Sequence, residues 1–244
     1  MRNAEFNDPR LVNVYDVMCP WSRDDDFFLS VVNETPAARV LDLGCGTGRL
    51  ALGLSAAGHT VTGVDPARAS LAAARAKPGA DRVRWIQGTS LALPGAAFDV
   101  AVMTSHVAQF FVTDEQWRQT LADLRRALVP GGRLVFDSRD PRARKWESWN
   151  PVDWRHRLTL PDGTTVTAWI EVTDVRDVDV DSTIHYEFSD FSELQSSTTL
   201  RFRPEQELRS TLHDAGFTIE RIYGGWHREP IGAPDGEFLV IARA

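Results

Sequence analysis

Residues 40 to 48 read VLDLGCGTG, and the elements on either side extend from this unit. Its first four residues form a short, mostly apolar run, which is typical of a strand buried on both faces. Gly44, Gly46 and Gly48 follow at a spacing that lets the backbone turn sharply and approach a bound molecule. Thr47 is placed to cap the helix that begins next, and the free N–H groups of a helix start favour anionic or polar ligand groups. A strand, a glycine turn and a helix start together indicate a nucleotide-type binding site.

Two acidic residues strengthen this interpretation. Asp42 lies inside the end of the first apolar run, where a carboxylate is costly to bury unless it has a partner. The next apolar run, Val61 to Val64, ends in Asp65, which follows the glycine turn by about 20 residues. An acid at the tip of a second strand is placed to accept hydrogen bonds from both ribose hydroxyls of a nucleoside. An ordinary tight turn is the alternative, and the position of Asp65 disfavours it.

The region from residue 38 to residue 140 contains four segments that read VLDLGCGTGRL, VTGVDPA, FDVAVM and LVPGGRLVFD. The first two are similar to the first and second motifs of the class I S-adenosylmethionine-dependent methyltransferases, and the whole region resembles that family. The resemblance implies an α/β fold with a doubly wound, mostly parallel, Rossmann-like sheet of seven strands. It also implies S-adenosyl-L-methionine as cofactor and methyl transfer as activity. It does not specify the acceptor.

Composition excludes several classes of protein. A length of 244 residues suits one large α/β domain, or one domain that carries an insertion. The net charge of −7 disfavours a nucleic-acid partner, because such binding rests mostly on Lys and Arg. No apolar run is long enough to span a membrane, and MRNAEFNDPR lacks the apolar core of a signal peptide. We therefore expect a cytoplasmic protein with a small-molecule substrate and no membrane partner, and a homodimer stays open.

The pattern of residues predicts one domain with an insertion. Residues 1–140 alternate helices and strands and form the first part of the core, and residues 204–244 complete it. Between them, residues 141–203 alternate apolar and polar side chains in four stretches, 154–160, 164–172, 183–189 and 198–203. We expect an antiparallel cap that selects the acceptor and leaves the cofactor site largely alone. The second connection of this cap contains four aspartates, which favour a solvated loop over a calcium site: Asp174, Asp177, Asp179 and Asp181.

Ligands of open α/β sheets bind beyond the carboxyl ends of the strands, and this rule selects the candidate cofactor-binding residues. These candidates are Tyr15, Trp21, Asp42, Gly44, Cys45, Gly46, Gly48, Asp65, Pro66, Thr89, Ser90 and Thr104. By resemblance, Asp65 holds the ribose hydroxyls, and Thr89 stands where the family commonly has an acid that contacts adenine. Tyr15 and Trp21 either close over the methionine end of the cofactor or are simply core aromatics. No metal site is expected.

His106 follows a predicted fourth strand at residues 99–104 and is the candidate catalytic base for an amine or hydroxyl acceptor. A polar loop histidine is the alternative. The cap offers apolar walls and polar contacts to an acceptor through Trp154, Trp169, Tyr186, Phe188, Arg155, His185, Glu187 and Arg201. Two other functions stay open at this point. One is a protein that binds the cofactor without chemistry, and the other is a nicotinamide-dependent oxidoreductase, which the missing Gly-x-Gly-x-x-Gly spacing disfavours.

Overall fold

A computed structural model describes all residues from 1 to 244. The eleven strands are β1 Arg39–Leu43, β2 Thr60–Asp65, β3 Arg84–Gln87, β4 Phe98–Met103, β5 Leu128–Arg139, β6 Arg155–Thr159, β7 Thr165–Arg176, β8 Asp179–Phe188, β9 Glu193–Arg201, β10 Thr218–Tyr223 and β11 Glu237–Arg243. The seven α-helices are α1 Ala4–Asn7, α2 Pro9–Met18, α3 Arg23–Val32, α4 Arg49–Ala56, α5 Arg68–Ala76, α6 Asp114–Ala127 and α7 Glu205–Asp214. None of the helices combines the length and the apolar character that crossing a membrane requires.

Seven of the strands form one sheet in the order β10-β11-β5-β4-β1-β2-β3. The strands from β1 to β5 run parallel, and β11 lies antiparallel between β5 and β10. Helix α4 connects β1 to β2, α5 leads from β2 to β3, and α6 connects β4 to β5, because a parallel pair cannot be joined by a hairpin. The predicted doubly wound α/β fold of seven strands is confirmed.

Apolar side chains cover both faces of this sheet. On one face, Trp117 and Leu121 of α6 pack with Leu41 of β1. On the other face, Phe28 of α3 and Leu54 of α4 pack in the same cluster as strand residues. Alternate residues of β1 thus enter opposite clusters, and four of its five residues are buried. The apolar run that the sequence shows at this point is therefore explained by burial on both faces.

The start of α4 differs from the prediction. The helix begins at Arg49, and its N-cap is Gly48 with a φ of 81°, so Thr47 does not cap it. Thr47 instead donates its hydroxyl to Asp16 at the end of α2. Lys77 bonds the same carboxylate at 2.7 Å and the carbonyl of Thr47 at 2.9 Å. The three side chains fasten α2 to the glycine turn.

The insertion is a four-stranded antiparallel sheet in the order β6-β7-β8-β9, which we call the cap. Its hairpin turn at Asp162-Gly163 has Gly163 at a φ of 88°, as a tight turn requires. Strands β7 and β8 are longer than predicted, and Asp177 alone of the four aspartates lies in the turn between them. The expected solvated loop is therefore wrong for Asp174, Asp179 and Asp181. Arg176 of β7 instead pairs with Asp174 on its own strand and with Asp181 across the hairpin, at 2.8 Å for the second pair.

The cap packs on the amino-terminal helices. Ala4, Leu11 and Val14 of α1 and α2 share one apolar cluster with Ala168 and Tyr186 of the cap. This face explains the alternation of β7 and β8, whose apolar residues point towards the helices. The first helices and the cap thus form a joint layer beside the main sheet.

Strand β9 also holds α1 through polar contacts. The hydroxyl of Ser196 accepts a hydrogen bond from the N–H of Ala4 at 2.6 Å and donates one to the carboxylate of Glu5. Thr198 donates a second hydrogen bond to that carboxylate at 3.2 Å. Glu5 is 7% exposed, and burial raises its pKa. These hydrogen bonds satisfy an acid that would otherwise be costly to bury.

We predict that Ser196→Ala lowers the free energy of unfolding by about 1–3 kcal/mol, because it removes a partner from a buried carboxylate. Urea denaturation measures the change. Ser189→Ala is the matched control, since Ser189 lies exposed in the β8–β9 turn of the same cap. Equal stability of the two variants would contradict the role given to Ser196.

Candidate active site

A cavity of about 310 Å³ opens at the carboxyl edge of the main sheet. The glycine turn after β1, the end of β2 and the segment after β4 form its floor and one wall. Asn3, Phe6 and Asn7, from α1 and the residue before it, and Tyr15 of α2 complete the enclosure. Ten of the twelve predicted cofactor-binding residues line the cavity: Tyr15, Asp42, Gly44, Cys45, Gly46, Asp65, Pro66, Thr89, Ser90 and Thr104. Only Trp21 and Gly48 of the predicted set lie outside it.

The three glycines of the turn have different roles. Gly44, Gly46 and Gly48 all have positive φ, at 77°, 51° and 81°. A Cβ on Gly44 would lie 2.6 Å from Val107, and one on Gly48 would lie 2.5 Å from Trp85. A Cβ on Gly46 meets nothing within 4 Å. Gly44 and Gly48 therefore permit close packing inside the protein, whereas Gly46 leaves space in the cavity.

The carboxylate of Asp65 is held by the backbone. Its Oδ2 accepts from the N–H of Gly46 at 2.8 Å, and its Oδ1 accepts from the N–H of Ala67 at 2.7 Å. Burial raises the pKa of Asp65, and the two N–H groups act in the opposite direction. The carboxylate is thus fixed at the strand tip, with lone pairs left for a ligand.

Asp42 is the most deeply buried acid of the cavity wall, at 1% exposure. Its Oδ1 has no hydrogen-bond partner. Burial, together with the nearby carboxylates of Asp65 and Asp25, raises the pKa of Asp42 to about 7. An orphaned acceptor beside a cavity fits a ligand that donates a hydrogen bond or carries positive charge.

Arg49 is a cavity residue that sequence reasoning missed. Its guanidinium donates to Asp25 at 2.9 Å, to Ser105 at 3.2 Å and to the carbonyl of Cys19 at 2.7 Å. These contacts join α3, the segment after β4 and the end of α2. The available signal is a cation directly after the glycine turn together with the acid run at residues 24–26, which the fold brings together.

Trp21 lies away from the cavity. Its ring packs against Gly53 of α4, where a Cβ would meet the ring at 2.4 Å, and its indole N–H donates to Asp26 at 2.8 Å. The ring therefore covers the outside of α4 and does not close over the cofactor. Of the two predicted aromatics, Tyr15 alone faces the cavity.

Of the two hydroxyl residues predicted near adenine, Thr89 and Ser90, the second has its hydroxyl directed away from the cavity. Ser90 donates to the carboxylate of Asp123 at 2.9 Å, which anchors the segment to α6. Thr89 is exposed at the cavity edge and makes no side-chain hydrogen bond. Thr89 is therefore the hydroxyl of this pair that a ligand can reach.

His106 does not line the cavity. Its Nε2 lies 2.9 Å from Glu237 and 3.4 Å from Asp137, and burial lowers the pKa of His106 to about 4. Sequence reasoning did not foresee that these three residues meet, because they come from β5, β11 and the segment after β4. None of the eight cap side chains proposed for the acceptor lines the cavity, and Tyr186 and Phe188 lie in the core beneath α1 and α2.

The comparisons with known proteins agree with this geometry. Residues 40–132 match the model of a family described as a methyltransferase domain. The chain is 30% identical over 212 residues to the cypemycin N-terminal methyltransferase of a Streptomyces species, covering 83% of this chain and 81% of that protein. It is 41% identical over 108 residues to the demethylmenaquinone methyltransferase of Thermus thermophilus, covering 42% and 47%. The matched part spans about half the length of several such relatives, for example 42% of a Geobacillus putative methyltransferase.

Solved structures share the fold. The CcbJ methyltransferase from Streptomyces caelestis superposes with a TM-score of 0.80 at 20% identity, covering 100% of this chain and 98% of that one. The sugar N-methyltransferase KedS8 from a Streptoalloteichus species gives a TM-score of 0.72 at 20% identity, with 96% and 92% covered. The fold and the site define a methyltransferase. The chain belongs to the class I S-adenosylmethionine-dependent methyltransferases, and S-adenosyl-L-methionine is the cofactor.

The residues of the cavity fit this cofactor. Asp65 offers a fixed carboxylate to ribose hydroxyls, and Gly46 leaves the backbone open to close approach. The orphaned Oδ1 of Asp42 fits the ammonium of the methionine end. Arg49 lines the cavity, but Asp24 and Asp25 pair with its guanidinium at 3.1 and 2.9 Å, so it adds little net positive charge there. The ribose hydroxyls and the ammonium of the cofactor thus each have a suitable acceptor in the wall.

We predict that Asp65→Ala weakens the binding of S-adenosylhomocysteine by about 1.5–3 kcal/mol, because hydrogen bonds to a charged carboxylate are lost. Isothermal calorimetry measures the affinity. Asp81→Ala, at an exposed aspartate before β3, is the control. Unchanged affinity in Asp65→Ala would remove Asp65 from the cofactor site.

A second prediction concerns pH. The folded-state pKa of Asp42, about 7, lies above its ordinary value of 3.8, so only the folded state keeps this proton between those values. Stability from this group is therefore present below about pH 4 and is lost as pH rises towards 7. Asp42→Asn removes the titration. The stability of the variant relative to wild type should rise between pH 4 and pH 7 in urea titrations, and parallel profiles would contradict the shifted pKa.

Proposed function

We propose that this protein transfers the methyl group of S-adenosylmethionine to an amine nitrogen of a small molecule. The observation that carries the proposal is the absence of a general base from the cavity wall. Its ionisable side chains are Tyr15, Asp42, Cys45, Arg49 and Asp65. Burial raises the pKa of both Tyr15 and Cys45, so neither is ionised at neutral pH. Both carboxylates have binding roles, and His106 lies outside the wall.

An amine acceptor suits such a cavity. When bound, the cofactor supplies a methyl group that its sulfonium activates for transfer. An amine sheds its proton to water before the reaction and then presents a free lone pair, whereas a hydroxyl, being far less acidic, needs a base. The task of the chain is to orient the acceptor and to exclude water. Phe6, Phe110 and Tyr15 narrow the cavity and favour a small acceptor or the exposed end of a longer one.

The names of relatives support a nitrogen acceptor. The Streptomyces relative acts, by its name, on the N-terminus of cypemycin, and KedS8 is named a sugar N-methyltransferase. A third protein of similar fold, from Burkholderia thailandensis, is named a 1,6-didemethyltoxoflavin-N1-methyltransferase. The net charge of −7 further favours such acceptors over a nucleic acid.

The test is a panel of small primary and secondary amines beside matched alcohols and phenols, incubated with S-adenosylmethionine and followed by mass spectrometry. We expect a gain of one methyl on amines only. The rate should rise with pH up to the pKa of the acceptor amine, because only the neutral amine reacts. Asp65→Ala is the control for cofactor-dependent turnover.

Two results would overturn the proposal. Methylation of a hydroxyl at rates comparable to amines would require a base that the cavity wall does not show. Binding of S-adenosylhomocysteine without turnover of any acceptor would favour the alternative, a protein that binds the cofactor without chemistry.

A further inference from the structure

We propose that Asp137 and Glu237 are positioning residues that act through His106 to hold the turn at residues 105–106, and that this turn sets the cofactor wall. The inference rests on the assignment of the cavity to the cofactor, which the proposed function also uses, and not on the identity of the acceptor. We call the group of His106, Asp137 and Glu237 the clamp. Its role in this proposal involves no proton transfer to or from the substrate.

The turn that follows β4 has an unusual backbone. Ser105 and His106 have φ values of 55° and 62°, so two consecutive residues other than glycine lie in the left-handed region. Side chains with a Cβ adopt this region at a cost, and such strain persists only where surrounding contacts over-determine it. The contacts that determine it here should therefore be visible, and they are those of the clamp.

Asp137 holds the backbone of the turn. The N–H of His106 donates to both carboxylate oxygens of Asp137, at 3.1 and 3.0 Å, and Asp137 is fully buried in β5. Glu237, at the start of β11, holds the imidazole at 2.9 Å. Strands β5 and β11 pair with each other, so both carboxyl groups stand on one rigid frame. The turn is thus fixed at its backbone and at its side chain.

Burial disfavours the charged form of each group of the clamp. Burial raises the pKa of Asp137 and of Glu237, and it lowers the pKa of His106. The charge of Arg139, in β5, lowers the pKa of all three groups. Asp24 of α3 raises the pKa of His106. Lys145 and Arg23 lower the pKa of Glu237, and Asp235 raises it. One imidazole nitrogen and one oxygen from each carboxyl group of the clamp lie within 4.8 Å of one another, a spacing that could hold a metal ion. The positive charge of Arg139 beside both carboxyl groups opposes a divalent cation.

The turn carries part of the cavity wall. Thr104, Ser105 and Val107 line the cavity. Val107 packs against Gly44, and Ser105 accepts a hydrogen bond from Arg49 at 3.2 Å. A shift of the turn would separate Val107 from the glycine turn and Ser105 from the guanidinium. Loss of the clamp should therefore reach the cofactor, although none of its three side chains lines the cavity.

The test compares two substitutions at one position. His106→Ala removes the imidazole and keeps a Cβ in the left-handed region, whereas His106→Gly removes the imidazole and relieves the strain. We expect His106→Ala to bind S-adenosylhomocysteine about tenfold more weakly than wild type, since relaxation of one strained residue is of this order, and His106→Gly to stay within about threefold. Calorimetry measures both without an acceptor. The result is therefore independent of which acceptor is methylated.

A second pair of variants tests Asp137. Asp137→Ala should weaken binding, and Asp137→Asn, which keeps one oxygen for the N–H of His106, should restore most of the affinity. Thermal melts and circular dichroism show whether each variant folds. Equal weakening by His106→Gly and His106→Ala, or wild-type affinity in all four variants, would overturn the proposal. So would a stoichiometric divalent metal in purified wild-type protein that Asp137→Ala loses.

Once an acceptor is known, the pH profile of kcat distinguishes positioning from general-base catalysis. The profile of His106→Gly should run parallel to that of wild type. Loss of a pH-dependent limb in this variant would show that His106 takes a proton from the acceptor, and it would overturn the positioning role.

Discussion

The carboxylate of Asp65 joins three elements of the site. Its residue ends β2, one oxygen accepts from the N–H of Gly46 after β1, and the other accepts from the N–H of Ala67 before α5. Charge-assisted hydrogen bonds of this kind are short and directional. Because the two N–H groups approach different oxygens, the carboxylate fixes both the distance between the two turns and their orientation. The floor of the cavity is therefore set by the protein before a ligand arrives.

The enclosure above this floor depends on the cap, although no cap side chain reaches the cavity. Ser196 of β9 holds α1, and Ser70 of α5 donates to the carbonyl of Phe6 at 2.8 Å. The helix that presents Phe6 to the cavity is thus fastened on one side to the cap and on the other to the core. The cap thus reaches the cavity only indirectly, through α1, and the expectation that it leaves the cofactor site largely alone stays a prediction. An acceptor-selecting role for residues 141–203 remains a proposal, and any such role is coupled to the cofactor site through α1.

The sequence predicted those parts of the structure that local residue patterns determine. The strands from β1 to β4 and the positions of Asp42 and Asp65 follow from apolar runs and glycine spacing, because a buried strand and a tight turn each restrict the residues they accept. The sequence did not predict the clamp. His106 and Glu237 are 131 positions apart, and nothing near either residue specifies the other. The position of Trp21 outside the cavity was not predicted for a related reason. Its ring packs against Gly53, which lies on a separate helix.

The distribution of charge gives the acid run at residues 24–26 a structural role and also favours a cationic ligand. Asp24 and Asp25 neutralise Arg49, at 3.1 and 2.9 Å, so the guanidinium adds little net positive charge to the cavity. Asp42 and Asp65 then leave the wall with net negative charge when both are ionised. S-adenosylmethionine carries a positive sulfonium, which this wall attracts, and the demethylated product lacks that charge. We therefore expect the carboxylates of this wall to hold the demethylated product less strongly than the cofactor, which would favour exchange after each transfer.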